Sequence, residues 1–451
     1  MTFSPAGPDL PGYRAKLDSV SPARAWKTAR ELVLDGREDA LALAAEFAEI
    51  AEPSTDKLLK LWSEAPDPDG FAALLLGPAF TREGRTTLEL RRRETITGVR
   101  HLTMLRTLRL DHCKHLTDLS DLAALTGLFR LELDGCAAVT DLTPLSGLPA
   151  LKTLILRSSR ALTDITPLLT LRTLRHLDLR SSGVTSVEGV GDAFPHLEHL
   201  DLDHCRAIED VLPLSGLRRL TQLDLSGTKI RSIAGLRDLG SVTELTLHCA
   251  RLTSLDGIDA MPGLRRLWLS GCTNLTSLDG LGHHPHLTNL GLPDARIPDL
   301  RPLSRLPALT GLNINKWQKL TSLDGLEDHP SLAEISLTYA EDLRDFSALA
   351  RMPALRELTL QGLDQLTDLT PFAGLWRLEE LHVAFDDHLR SLGDPGNLPD
   401  LRILDLYRCG ALADLGTLID LPSLKEVRVN GCPALTSTVI ADLEARGLLA
   451  G

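Results

Sequence analysis

Aromatic residues are scarce in this 451-residue chain: Phe, Trp and Tyr together make up 4% of it, so aliphatic side chains must fill the core. Long apolar runs are missing too. No stretch of about 18 apolar residues occurs, which excludes a membrane-spanning helix. The opening residues, MTFSPAGPDLPGYRAK, contain no apolar segment of the kind a secretory leader needs. The last residues, EARGLLAG, carry no lipidation or sorting signal. The seven cysteines are odd in number and include no C-x-x-C pair. These absences together predict a cytoplasmic protein with reduced thiols.

Recognisable catalytic and ligand-binding motifs are absent as well. There is no G-K dipeptide and hence no P-loop, and no G-x-S-x-G, H-E-x-x-H, EF-hand loop or G-x-G-x-x-G after a strand. We therefore expect no enzyme activity, no catalytic residue, no cofactor and no metal. Acidic residues number 61 against 48 basic ones, a net charge of -13, which argues against nucleic acid or an anionic membrane as partner. Disorder is excluded by a hydrophobic content of 43%.

What the chain does contain is a repeat. LRTLRLDHCKHLTDLSDLAAL at 105–125 recurs as LFRLELDGCAAVTDLTPLSGL from Leu128 and LKTLILRSSRALTDITPLLTL from Leu151. Later copies are LEHLDLDHCRAIEDVLPLSGL from Leu197, LRRLWLSGCTNLTSLDGLGHH from Leu264 and LKEVRVNGCPALTSTVIADLE from Leu424. The second apolar residue of each L-x-L pair falls at Leu110, Leu133, Leu156, Leu179, Leu202, Leu225, Leu247, Leu269, Leu292, Ile314, Leu337, Leu360, Val383, Leu406 and Val429. These are fifteen copies at intervals of 22 or 23 residues. A degenerate sixteenth precedes them, with Leu88 and Leu90 as its pair.

The consensus L-x-x-L-x-L-x-x-C-x-x-L-T-D-L-x-P-L-x-x-L, over about residues 86 to 440, resembles leucine-rich-repeat proteins. It is similar to the short repeats of internalins and to the repeats of bacterial NLR-like sensors. Internalins are exported, whereas this chain shows no export signal; the sensors carry a P-loop, which this chain lacks. The resemblance implies an α/β solenoid, a leucine-rich-repeat horseshoe with a parallel inner sheet.

The physics of the unit agrees. In L-x-L the two leucines point into the coil and the middle residue points out. Each coil buries its leucines against the next, so stability is a sum over neighbours. The short period leaves room on the other side only for single turns, which Pro144, Pro167, Pro213, Pro302 and Pro371 would start. Six cysteines (113, 136, 205, 272, 409 and 432) lie three residues after the indexed apolar residue, and Cys249 lies two after. Ser159, Ser182 and Thr228 stand in their place elsewhere. This predicts a ladder of small, buried side chains at an inward turn, against the alternative of a metal or redox array.

The ends depart from the repeat. Residues 1–85 read as a helical N-terminal cap or small domain: helices over 21–36 (Ser21 as N-cap, Pro22 first), 37–52 and 54–65, then a break at PDPDG and a short fourth helix. Residues 86–436 form the solenoid, and 437–451 a C-terminal capping helix. An effector or enzyme housed in the first 85 residues is the alternative to an interaction module.

Function should lie on the inner wall, where residues vary without cost to the frame. The middle outward column includes Asp178, Asp201 and Asp224 on successive strands, with Trp268 near the centre. Glu334, Glu357 and Glu380 stack one column earlier. His176, Asp178, His199, Asp201, Asp203 and His204 are metal-ligand types, but a solvated polar wall accounts for them. We expect a monomeric, non-catalytic scaffold that binds a protein partner with a basic rim on its concave face, in bacterial defence or signalling. The contact residues would be Asp178, Asp201, Asp224, Trp268, His382 and Tyr407.

Overall fold

The computed structural model describes residues 10–450 except 293–296, 298, 299, 318, 395 and 397. The chain divides into two compact units, Met1–Leu197 and Glu198–Gly451.

The first unit begins with helices Leu10–Arg14, Pro22–Asp35, Glu38–Ala51 and Thr55–Trp62. Ser21 stands at the N-cap but makes no side-chain cap bond; Pro22 opens the helix with its preset φ. The segment PDPDG does more than break the chain. Asp67 accepts the Gly70 N–H, and Pro68 starts a short helix, Pro68–Phe71, that runs through a π turn at Ala72–Leu76 into Gly77–Glu83. Phe47, Phe71 and Phe80 are buried at the centre, and the Trp62 indole N–H donates to the Pro68 carbonyl at 2.9 Å. The block is tied to the first coil at Asp69, which meets Arg100 Nη2 at 2.5 Å and His101 Nε2 at 3.0 Å.

Strands follow: β1 Thr87–Arg91, β2 Thr107–Asp111, β3 Arg130–Asp134, β4 Thr153–Ile155 and β5 His176–Asp178. β1 to β4 each pair in parallel with the next strand, in a register that stacks Leu90 on Leu110 and Leu110 on Leu133. The degenerate copy at Leu88 and Leu90 is thus a true strand.

The second unit continues the same pattern with β6 His199–Asp201, β7 Gln222–Asp224, β8 Glu244–Thr246, β9 Arg266–Trp268, β10 Asn289–Leu292 and β11 Gly311–Asn315. Then come β12 Glu334–Thr338, β13 Glu357–Gln361, β14 Glu380–Ala384, β15 Ile403–Tyr407 and β16 Glu426–Asn430. Helix Ser437–Ala445 returns the chain to β17, Leu449–Ala450, which pairs with β16. Each unit is therefore an α/β solenoid of leucine-rich-repeat type, with a parallel sheet whose alternate residues are buried.

The opposite side is built of single turns. Pro144, Pro167, Pro213, Pro302 and Pro371 each lie within the first two residues of a 3₁₀ turn. The Asp of the T-D-L motif acts locally. Asp141, Asp164 and Asp368 each accept the backbone N–H two residues on, at 2.8 Å. Ser186, Ser232 and Ser254 do the same where Asp is missing. Such Asx and Ser turns satisfy backbone donors that the change of direction leaves unpaired.

The thiols stand at the inward turn. Six are buried and Cys432 is half-buried. Each of six donates toward the carbonyl of the corresponding residue one coil back: Cys113 to Leu90, Cys136 to Leu110, Cys249 to Leu225, Cys272 to Leu247, Cys409 to Val383 and Cys432 to Leu406. A small donor at this place holds one coil to the next.

Candidate functional site

In the second unit the sheet face carries an open cavity of about 180 Å³. Trp268 forms one wall. Asn289, Asn313, Ser336 and Thr359 contribute amides and hydroxyls, and Glu334 and Glu357 close the far side. All are outward residues of β9 to β13, brought side by side by the register Trp268↔Gly291, Gly291↔Asn313, Asn313↔Ser336 and Ser336↔Thr359.

Two glycines make the cavity. A Cβ at Gly291 would stand 2.5 Å from Trp268 Cε3 and 3.0 Å from Cζ3, so the benzo edge of the indole takes up the space beside that residue. At Gly311 a Cβ would meet Asn289 Nδ2 at 2.8 Å. The indole is half-buried rather than projecting freely, because it uses the space of a missing side chain on β10. Its ring has no cation over it among the described residues. Neighbouring Arg266 is engaged with Glu244 at 2.6 Å.

The carboxylates differ in how they are used. Glu244 pairs with Arg266, Glu379 with Arg356 and Arg402, and Glu132 with Arg109 and Arg130. Glu334 and Glu357, directly opposite each other in the register, have no ion pair among the described residues. Like charges opposed on neighbouring strands are unfavourable, and no cation among the described residues pairs with either of these two.

The expected aspartate column has a local explanation. Asp178, Asp201 and Asp224 each accept the N–H two residues further on, from Arg180, Asp203 and Ser226. Asp178, in the first unit, is buried rather than solvent-facing, and its carboxylate is held by Arg157 Nε at 2.6 Å. In the second unit Asp201 and Asp224 are register partners. Burial, with Asp201 and Asp203 close by, pushes the Asp224 carboxyl above its ordinary range despite the bond from Ser226. His176 and Asp178 belong to the first unit; His199, Asp201, Asp203 and His204 belong to the second.

His382 is the register partner of Thr359 and so adjoins the cavity. Its ring lies 3.5 Å from Glu380 and 3.6 Å from Asp405. Tyr407, exposed on β15, stacks edge-on against Phe385 at 5.3 Å, with the Arg408 guanidinium over both rings. Trp268 and His382 are five strands apart, roughly 24 Å at the usual strand spacing.

Sequence reasoning missed Phe385 and Tyr339, which are 40% and 38% exposed. Both stand two residues after the indexed position, where φ is positive: 52° at Phe385 and 53° at Tyr339. Gly135, Gly227, Gly362 and Gly431 occupy the same place in other coils. A bulky residue at a place where several coils carry glycine was the available signal.

Known structures share this architecture. A leucine-rich-repeat protein of Leptospira interrogans superposes with a TM-score of 0.53 at 17% identity, over 82% of this chain and 94% of that one. TLR13, in its complex with ssRNA13, superposes at 0.55 and 19% identity, over 77% of this chain and 53% of that one. An internalin of Listeria monocytogenes aligns at 19% identity with a TM-score of 0.47, over 78% of this chain and 93% of that one. No protein-family model and no curated protein matches the sequence. The fold is that of a leucine-rich-repeat protein. Among the described residues no helix is long and apolar enough to cross a membrane.

Proposed function

We propose that this chain is a non-catalytic, cytoplasmic interaction scaffold that holds a protein partner on the sheet face of its second unit. The observation that carries this reading is the half-buried indole of Trp268, walling an open cavity that two glycines keep clear. Trp is the residue type most enriched where interfaces concentrate their energy. Asp201, Asp224, His382 and Tyr407 on the same sheet would flank the contact; Asp178, already held by Arg157, would steady its own coil. A partner with an apolar centre and a basic rim suits an aromatic beside carboxylates. Uncompensated carboxylates disfavour the phosphates of a nucleic acid, unlike the RNA-bound state seen for TLR13. The helical block of residues 1–85 and the helix within 437–451 would serve as end caps, since terminal coils otherwise expose their leucines. A ligand-recognition role in bacterial defence or signalling fits such a module.

Affinity purification from the native cell, wild type against Trp268→Ala, tests the reading. A partner recovered with the wild type should lose about 2–4 kcal/mol of binding on Trp268→Ala, with the fold intact. Neutralising Asp201 and Asp224 should mainly slow association and flatten its salt dependence. A partner whose affinity is unchanged by Trp268→Ala would move the site off this face.

A further inference from the structure

We infer that the Trp268 cavity is a receptor for one arginine side chain, presented by a polypeptide partner. The inference rests on the reading of the sheet face as a protein-binding surface and names the group that enters it.

Size comes first. At about 180 Å³ the cavity is smaller than the roughly 300–1,000 Å³ of pockets that enclose a whole small-molecule ligand. It is open to solvent along the sheet and holds a side chain end rather than a metabolite.

Charge comes second. Glu334 and Glu357 stand opposite each other without a cation, while other acids of the same sheet, Glu244 and Glu379, have arginine partners. Two neighbouring carboxylates cost free energy that one incoming cation would relieve. The hydroxyls and amides between them, Ser336, Thr359, Asn289 and Asn313, offer oxygen acceptors to N–H donors.

Shape decides between the two cationic side chains. The Trp268 indole lines the same cavity as the carboxylates, meets Gly291 with its benzo edge, and has no cation on its ring among the described residues. A planar guanidinium can stack on an indole while its edge donates several hydrogen bonds toward carboxylate and amide oxygens. A lysine ammonium presents three donors at a point and no stacking plane. The elements needed are those the sheet already uses internally: Arg408 lies over Tyr407 at 5.3 Å, and Arg428 meets Asp405 at 3.5 Å. Around Trp268 the receptor half is present and the arginine is not supplied by the described chain.

The test uses the full chain labelled with 5-fluorotryptophan, the Trp268 resonance being assigned from Trp268→Phe. The probes are acetyl-Gly-Arg-Gly-amide, its citrulline and lysine counterparts, and free L-arginine. The arginine peptide should shift the Trp268 resonance saturably, with citrulline about tenfold weaker and lysine in between. The double variant Glu334→Gln, Glu357→Gln should lose the response while the resonances of the other tryptophans stay in place, which shows that the fold survives. Free L-arginine should bind more weakly than the capped peptide, because its own carboxylate meets Glu334 and Glu357. Equal shifts with citrulline, or no shift with arginine, would overturn the inference. Tighter binding of free L-arginine would overturn the polypeptide source. A protein partner lost on Trp268→Ala, combined with no arginine response, leaves the scaffold reading standing and removes this one; an arginine response without any protein partner removes the scaffold reading and the polypeptide source with it.

Discussion

Trp268 occupies the space that a side chain on Gly291 would need: a Cβ there would fall 2.5 Å from the indole Cε3. The pairing is one of neighbours in register on β9 and β10, so the two positions cannot both carry side chains with the ring where it lies. Gly291→Ala should therefore turn the indole outward and close the cavity floor. The cost to stability should stay near the low end of about 1–3 kcal/mol for an overpacked site, since the ring can swing toward solvent. Trp268 emission should shift to the red, and binding at the cavity should fall as far as it does in Trp268→Ala. An unshifted spectrum with intact binding would show that the ring does not rest on Gly291.

The frame and the site were legible to different degrees. The 22–23-residue phase assigns the indexed apolar residues to the core, because burial in a solenoid follows position within the coil; Val429, in the last repeat, is only half-buried. The same phase turns Trp268 outward. It does not show where the cavity opens. That depends on side-chain size across neighbouring coils: Gly291 and Gly311 open the sheet toward β12 and β13, away from the aspartates. Nor does it separate a carboxylate kept for a partner from one bonded to its own backbone, as in Asp201 and Asp224. The residues at positive φ follow from the turn after each strand, and their one mark in the sequence is the glycine that recurs two residues after the indexed position in some coils.

That turn yields a second prediction. Lys316 is exposed, stands at φ 53°, and occupies the place that glycine takes in other coils. Its N–H bond to the Thr338 carbonyl is a backbone bond that any residue keeps. Lys316→Gly should stabilise the protein by about 0.5–1 kcal/mol, the left-handed penalty less the entropy that glycine adds to the unfolded chain. Phe385→Gly, at φ 52°, should gain less or nothing, because it also removes the stack with Tyr407 and the cover of Arg408. Urea midpoints of the two variants check the contrast. Equal gains would show that the aromatic stack contributes nothing.

Thiol chemistry separates the cysteines. Burial pushes Cys249 up to about 11 and Cys272 up to about 12. Cys432 alone is half-buried, and a hydrogen bond shared with Cys409 lowers it to about 7. Thiolate is the reactive form and exists above the folded-state value. At about pH 8, iodoacetamide should therefore label Cys432 first, with Cys249 and Cys272 protected until the coils open. Peptide mass spectrometry against time reads the order. Early labelling of Cys249 or Cys272 would contradict the burial that sets them apart.

The last prediction concerns acid sensitivity. His284 and His329 are buried, and burial lowers the affinity of both rings for a proton; Asp259 partly offsets this at His284 and His283 adds to it. A base held neutral in the fold has a folded-state pKa below its unfolded one. Above about pH 6.5, the ordinary histidine value, both states are neutral and the full contribution is present. As the pH falls through that value the unfolded chain takes up a proton that the folded ring refuses. Stability should then fall by up to about 1.4 kcal/mol per pH unit for each histidine. The window opens at about 6.5 and runs down toward the folded-state values. Urea unfolding across it, wild type against the double variant His284→Leu, His329→Leu, isolates the two rings from every other titrating group. The double variant should show a shallower fall. An unchanged slope would mean that the rings accept protons in place, and that the interior around them is wetter than their burial indicates.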